Sequence, residues 1–213
     1  MTGMDRSGRV LRHIGENMHV YLYLNEVEHA KTWVEGGKIP INPASVYKRM
    51  ERDGVFTPDE NLIHKSEMDM MNLGPGIRFE PGGDYRGINI IDSNFGNGLV
   101  NIRNASYYPE NGLLLSFSTA LSKKVMDRFK TKKICVKVHD INKLKKILDL
   151  RLGCESESGQ CRYTPSHERN HFLKSHLDSW QQEYRLFWRC EPVMRWVRLP
   201  AGMAEVVKVP IGS

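Results

Sequence analysis

Phe172 to Cys190, FLKSHLDSWQQEYRLFWRC, changes its hydrophobic period halfway along, and that change sets the architecture expected of the chain. Leu173, Leu177 and Trp180 recur at i, i+4 and i+7, one face of a helix. From Gln181 the period falls to two, so a strand is expected to follow directly. Tyr184, Leu186, Trp188 and Cys190 then point one way, and Gln181, Glu183, Arg185, Phe187 and Arg189 the other. The first set suits a core. The second places an amide, a carboxylate and a guanidinium in a row, alternate residues about 7 Å apart. Such a row is either a structural ion pair or the working edge of a site.

The patterns on either side fill in the rest. Leu113 to Ser118 reads as a strand, and Leu121, Val125 and Phe129 mark a helix. Lys133 to His139 is a second strand, with Ile134, Val136 and Val138 inward. Asp140 caps a helix bearing Ile141, Leu144, Ile147 and Leu148. Gln160 to Tyr163 is a short strand. Trp196 to Leu199 and Glu205 to Val209 close the chain as strands, joined by the turn Pro200-Ala201-Gly202.

Nearer the N-terminus, His19 to Leu24 (HVYLYL) alternates, with His19, Tyr21 and Tyr23 on one face. Asn25 and Glu28 have the spacing of a capping box for a helix that turns Val27, Ala30 and Val34 inward and stops at Gly36-Gly37. Lys38 to Ile41 is extended, and Asn42-Pro43 opens a short helix through Tyr47 and Met50. Thr57 and Glu60 repeat the start signal for a helix ending near Asn72, its Met68, Met70 and Met71 serving in packing. From Gly74 to Gly98 the chain reads as a polar loop, functional or disordered, with one strand at Gly87 to Ile91 and a turn at DSNFGNG. Strands and helices mix without strict alternation, which points to an α+β fold.

The 213 residues fit one domain. Residues 1–17 are polar and read as a flexible N-terminus, leaving 18–213 as the folded unit. No apolar run approaches the ~20 residues of a membrane span, and the N-terminus lacks a signal-peptide core. Cytoplasmic residence without a membrane partner is the expectation. Four cysteines are too few for a disulfide scaffold of this size. The net charge of +6 permits an anionic partner such as nucleic acid, a dinucleotide or an acidic protein surface.

Among candidate motifs, Cys154, Cys161, His167 and His171 have the residue types of a zinc site. Their cysteines are six residues apart, against the two to four that zinc sites usually use, and the histidines are expected on a helix, so no metal is assigned. Cys135, His139 and Ser118 include a nucleophile and a base, with nothing local to join them, and Cys135 reads as a packing residue on its strand. There is no Walker loop and no G-x-G-x-x-G. Lys123, Lys124, Arg128, Lys130, Lys132 and Lys133 form a basic cluster that either guides an anionic substrate or is a solvated helix face.

A longer-range pattern carries a resemblance. The strand with His19, Tyr21 and Tyr23, the helix and Gly-Gly, the strand with Ser116, Ser118 and Thr119, and then Trp180-x-x-Glu183-Tyr184-Arg185 follow in order. This arrangement resembles the ADP-ribosyltransferase-like proteins of bacterial conflict systems, and more distantly the DNA-modifying ADP-ribosyltransferase toxins. The likeness runs from His19 to Trp188 and rests on few residues. It implies a split, mixed β-sandwich with flanking helices and NAD in its cleft. It also implies transfer of ADP-ribose to a macromolecular acceptor, nucleic acid or protein, in a toxin or phage-defence setting with a cognate antitoxin as a partner. On that likeness Glu183 is the catalytic carboxylate and Gln181 the acceptor-orienting group, where relatives more often carry glutamate. His19, Tyr21, Tyr23, Ser116, Ser118, Thr119 and Arg185 would contact NAD, although the first strand offers no arginine. The competing expectation is a non-catalytic nucleic-acid-binding or toxin–antitoxin partner module on the same fold.

Overall fold

The alternating segments of the sequence become neighbours in one large sheet. A computed structural model describes residues 3–4, 10–11, 18–50, 62–70, 73, 77–80, 83–96 and 98–210. In chain order, β1 (Gly3–Met4) and β2 (Val10–Leu11) form a separate antiparallel pair. β3 (Val20–Leu24), α1 (Val27–Glu35), β4 (Gly37–Pro43) and α2 (Ala44–Met50) follow. β5 (Leu62–Lys65), β6 (Tyr85–Asn94) and β7 (Leu99–Pro109) make an antiparallel sheet in the order β5-β7-β6. β8 (Leu113–Ser118), α3 (Lys123–Arg128), β9 (Ile134–Val138) and α4 (Ile141–Leu152) come next. β10 (Ser156–Gln160), β11 (Arg162–Thr164) and β12 (Leu173–Ser175) lead to a 3-10 helix at His176–Gln181. β13 (Glu183–Trp188), β14 (Arg195–Leu199) and β15 (Ala204–Val207) finish the chain.

The large sheet has eight strands. Six run in the order β10-β13-β8-β3-β9-β15, and β4 joins β8 with β14 beyond it. Every pairing in it is antiparallel. One edge of β8 pairs with β13 along all six residues. Its other edge is divided: Leu113 and Leu114 pair with β4, and Ser118 pairs with Tyr21 of β3. Over Leu115 to Phe117 the sheet therefore forks. The architecture is α+β.

One face of this sheet holds the main core. Val20, Leu113, Phe117, Val136, Val138, Leu186 and Trp188 pack beneath Trp33 of α1 and Ile141, Leu144 and Leu148 of α4. Each such side chain contributes roughly 1.5–3 kcal/mol of burial. Two caps hold α4 in register with the sheet. Asp140 accepts from the backbone N–H groups of Asn142 and Lys143, and Gly153 ends the helix with a left-handed φ of 69°. Asp149, on the last turn, accepts the indole N–H of Trp188 at 2.7 Å, so this buried ring leaves no polar atom unpaired.

Several local expectations give way to tertiary pairing. Leu173–Ser175 is a strand rather than a helix, because it pairs in parallel with β11. The turn that follows is 3-10, started by the Ser175 hydroxyl accepting from Leu177 N–H, and Leu177 is 68% exposed instead of facing the core. β13 accordingly begins at Glu183. His167 and His171 lie in bends and turns between β11 and β12, not on a helix. In α1 the buried residues are Ala30 and Trp33, while Val27 is 54% exposed. The N-cap is Glu26, whose carboxylate meets Lys133 at 3.0 Å and makes no side-chain cap, and Glu28 pairs with Lys31.

The helix expected from Thr57 to Asn72 falls partly outside the described residues, and Leu62–Lys65 within it is β5. The expected 74–98 loop contributes β6, which pairs with β7 as a long hairpin. Its sheet has a small core of its own around Met70, Leu73, Ile102, Ala105 and Tyr107. None of the described helices is long and apolar enough to cross a membrane.

Candidate functional site

The opposite face of the sheet is built from the other half of each alternation. Residues paired across an antiparallel ladder share a face. The register puts Glu183 opposite Ser118, Arg185 opposite Ser116 and Phe187 opposite Leu114, with Tyr21 on the far side of Ser118. The two-residue period read from Gln181 onward thus places its charges on the face away from α1 and α4.

These charges are buried and mutually paired. Glu183 is 8% exposed, Arg185 1% and Lys174 3%. Lys174 Nζ donates to Glu183 Oε2 at 2.9 Å and to Gln181 Oε1 at 2.7 Å. Arg185 donates from one terminal nitrogen to Glu183 Oε2 at 3.0 Å and from the other to the His171 carbonyl at 2.9 Å. Its Nε lies 3.0 Å from Glu183 Oε1, so the guanidinium spans both carboxylate oxygens. Asp178 stands 4.0 Å from Lys174, balancing two cations with two carboxylates. Burial alone would raise the pKa of Glu183. The charges and hydrogen bonds of Arg185 and Lys174 outweigh it and hold the carboxyl at about 2, well below its usual 4.5.

The junction before β13 is held by its neighbours. Gln182 takes a left-handed φ of 43°, which reverses the chain from the 3-10 helix into the strand. Its carbonyl accepts from both the N–H and the hydroxyl of Thr119, at 2.8 and 3.1 Å. The Ser118 hydroxyl donates to the Gln181 carbonyl at 2.8 Å. Glu183 N–H donates to the Tyr163 hydroxyl, also at 2.8 Å. Ser118 and Thr119 therefore position the chain that carries the carboxylate.

The sheet fork opens into a cavity of about 190 Å³. Tyr21 and Tyr23 of β3, Ser116 and Ser118 of β8, and Gln181 and Glu183 line it; Tyr47, Phe129 and Lys132 also contribute to its wall. The Tyr23 hydroxyl donates to the Ala120 carbonyl at 2.7 Å and accepts from Ser122 N–H at 2.9 Å, and burial pushes its pKa up to about 12. Lys132 has its ammonium 5.9 Å from the Phe129 ring and makes no ion pair with a described carboxylate; burial lowers its pKa.

One polar atom in this wall has work left to do. Gln181 Nε2 is buried without a hydrogen-bond partner among the described residues, while Lys174 fixes the amide's orientation through Oε1. Gln181 and Glu183 both line the cavity, so an amide and a carboxylate stand side by side in its wall. Together they suit a ligand hydroxyl, which accepts from the amide and donates to the carboxylate.

Of the residues expected to contact NAD, Tyr21, Tyr23, Ser116 and Ser118 line the cavity with Gln181 and Glu183. Thr119 and Arg185 act beside it as braces. His19 is exposed, with its ring set edge-on to Tyr21 at 5.6 Å. Lys174 and Tyr163 were not anticipated, and Lys132 was expected only as one member of the basic cluster. The i, i+4 spacing of Lys174 and Asp178 was the one local signal for the first of these.

The other motifs separate in space. Cys135 is buried, and burial pushes its thiol to about 12, while His139 is exposed past the end of its strand. β10 lies between Cys154 and Cys161, and the Cys161 thiol contacts the His171 carbonyl. No group of three or more metal-ligating side chains gathers among the described residues. Compared with protein-family models, curated proteins and solved structures, the chain gives no match.

Proposed function

We propose that this chain is an ADP-ribosyltransferase-like enzyme that takes the nicotinamide-ribose end of NAD into the sheet fork. The observation that carries the reading is the Gln181–Glu183 pair on the cavity wall, with Gln181 Nε2 unpaired among the described residues. A cavity of about 190 Å³ is smaller than the ~300–1,000 Å³ of sites enclosing a whole ligand, so it would receive one end of the dinucleotide. The fork itself fits the split β-sandwich that the sequence resemblance implies.

In such a reaction the bond from the anomeric carbon to the pyridinium nitrogen breaks, and its electron pair leaves with neutral nicotinamide. The acceptor's oxygen or nitrogen forms the new bond to that carbon and releases its proton to solvent. A carboxyl held at about 2 stays ionised and is a poor proton carrier near neutrality. Glu183 would therefore act through its fixed negative charge, hydrogen-bonding a ribose hydroxyl and stabilising the oxocarbenium ion as it forms. Arg185 and Lys174 would hold that charge in place, and Gln181 would orient the acceptor.

The test is thermal unfolding with and without NAD, on wild type and Glu183→Gln, followed by a nicotinamide-release assay. Ligand at a hundredfold excess over its dissociation constant adds ~2.7 kcal/mol of stability. Stabilisation of both forms, with release only from wild type, is the expected result. Binding without release from either form would defeat the transferase reading.

A second reading has its own observation. Lys124, Arg128 and Lys130 make no ion pairs with described carboxylates, and Arg128 stacks over Trp180 at 5.0 Å beside the cavity. A cationic rim with an aromatic ring suits a nucleic-acid-binding module without turnover. That module predicts affinity falling steeply with salt and no nicotinamide release.

A further inference from the structure

Two of the four cysteines meet at the end of β13 opposite to Glu183. The β10–β13 ladder finishes with Ser156 facing Trp188, and Cys154 and Cys190 each lie two residues beyond that last pair, in the bends that leave the two strands. Both side chains pack at the margin of the same apolar core, and Cys154 is among the close neighbours of the Cys190 thiol. Directly opposed residues on antiparallel strands stand about 4.5–5.5 Å apart at Cα. A disulfide spans about 4.4–6.8 Å between Cα atoms. Access differs too, since Cys154 and Cys190 are half-buried whereas Cys135 and Cys161 are buried.

We propose that Cys154 and Cys190 form a reversible thiol–disulfide site that reacts with small-molecule disulfides of the glutathione class. The thiolate of one cysteine attacks glutathione disulfide, forming a mixed disulfide and expelling one glutathione thiolate. The other cysteine then displaces the second glutathione. Two electrons and two protons pass from the protein thiols to glutathione disulfide, which becomes two glutathione molecules. The new bond staples the turn after α4 to the end of the strand that carries Glu183. It closes a long loop containing β10, β11, β12, the 3-10 helix and β13, and so restricts the unfolded chain. Burial raises the pKa of Cys190, and its neighbour Cys154 adds to the effect, so the reaction should quicken as pH rises. The site does not depend on the NAD reading.

The experiment is to incubate the full chain with oxidised glutathione at mildly alkaline pH, block remaining thiols, and map disulfides by mass spectrometry. We expect a Cys154–Cys190 linked peptide in a monomeric chain, reversed by dithiothreitol, with Cys135 and Cys161 alkylated only on denaturation. The oxidised form should melt roughly 5 °C higher. Cys154→Ser should stop at a glutathione adduct on Cys190, without the rise in Tm. Wild type that keeps both thiols free, or ends with separate adducts on each, would overturn the proposal. The wild-type map decides the matter even where a variant fails to fold.

Discussion

The two faces of β13 come from the same six residues and are held by opposite physics. Tyr184, Leu186 and Trp188 enter an apolar core where shape and volume are the main demands. Glu183, Arg185 and Phe187 face a layer where each charge needs a named partner. Every residue of the strand is buried, so exposure does not separate the two sides. What separates them is the response to losing one group. An apolar neighbourhood relaxes around a smaller side chain, whereas a buried ion cannot shed its charge without cost.

Arg185→Met should break the comparison most severely. It removes both guanidinium contacts of Glu183 and leaves the His171 carbonyl without its 2.9 Å donor. Removing one partner of a buried pair costs about 3–5 kcal/mol, which lowers the Tm of a chain this size by roughly 10 °C. Adding Glu183→Gln should recover much of that loss, because Lys174 still faces Asp178 and the buried charges balance again. Thermal unfolding of the two singles and the double measures the coupling. Strictly additive losses would mean that the pair is not a unit.

pH separates the faces without mutation. Unfolded, Glu183 takes up its proton near 4.5; folded, it resists until about 2. Between those values the unfolded chain binds more protons. The contribution of the carboxylate is complete above 4.5 and is lost as pH falls from there through 2. The difference amounts to roughly 3 kcal/mol. Urea unfolding at pH 7 and pH 3 should show wild type losing stability that Glu183→Gln does not lose.

Leu186→Ala sharpens the contrast from the apolar side. Leu186 is fully buried among α1 and α4 contacts, and its truncation should cost roughly 3 kcal/mol through lost transfer energy and a residual cavity. That cost should be equal at pH 7 and pH 3. Leu186→Met, which conserves volume, should cost less than ~1.5 kcal/mol. No comparably mild change is expected at Arg185.

The same distinction explains what could be read from the sequence. The alternation of β13, β8 and β9 and the Asp140 cap of α4 are local signals, and each appears where its residues put it. The face bearing Gln181, Glu183 and Arg185 was legible for the same reason. Lys174 was not, because it reaches Glu183 from β12, a strand that exists through parallel pairing with β11. Its three residues inherit helical spacing from Leu173, Leu177 and Trp180, and tertiary pairing overrides that spacing. The β6–β7 hairpin was hidden differently. Three register shifts interrupt its ladder, and Asp92 and Asn104 adopt positive φ, so the two-residue period keeps breaking. β6 is nowhere fully buried, which also removes the apolar stripe that would mark a strand.

The smallest expected effect falls on Lys132, at the margin of the polar face. Among the described residues it is the one cavity-lining lysine, and its ammonium has a ring but no described carboxylate beside it. Burial lowers its pKa, so keeping the proton costs the folded state and stability should rise as pH climbs through the folded value toward 10.5. Lys132→Met should therefore leave Tm at neutral pH unchanged or raise it by roughly 1–2 °C, within the small range of changes that break no pairing. Ligand binding should respond in the other direction. If the fork receives an anionic dinucleotide, this ammonium is the charge available to meet it, and the stabilisation produced by NAD should shrink in Lys132→Met. Glu183→Gln should keep that stabilisation and lose nicotinamide release. Equal NAD shifts in wild type and Lys132→Met would place the anionic part of the ligand elsewhere, and would leave Lys132 as a lysine whose stem packs on Phe129.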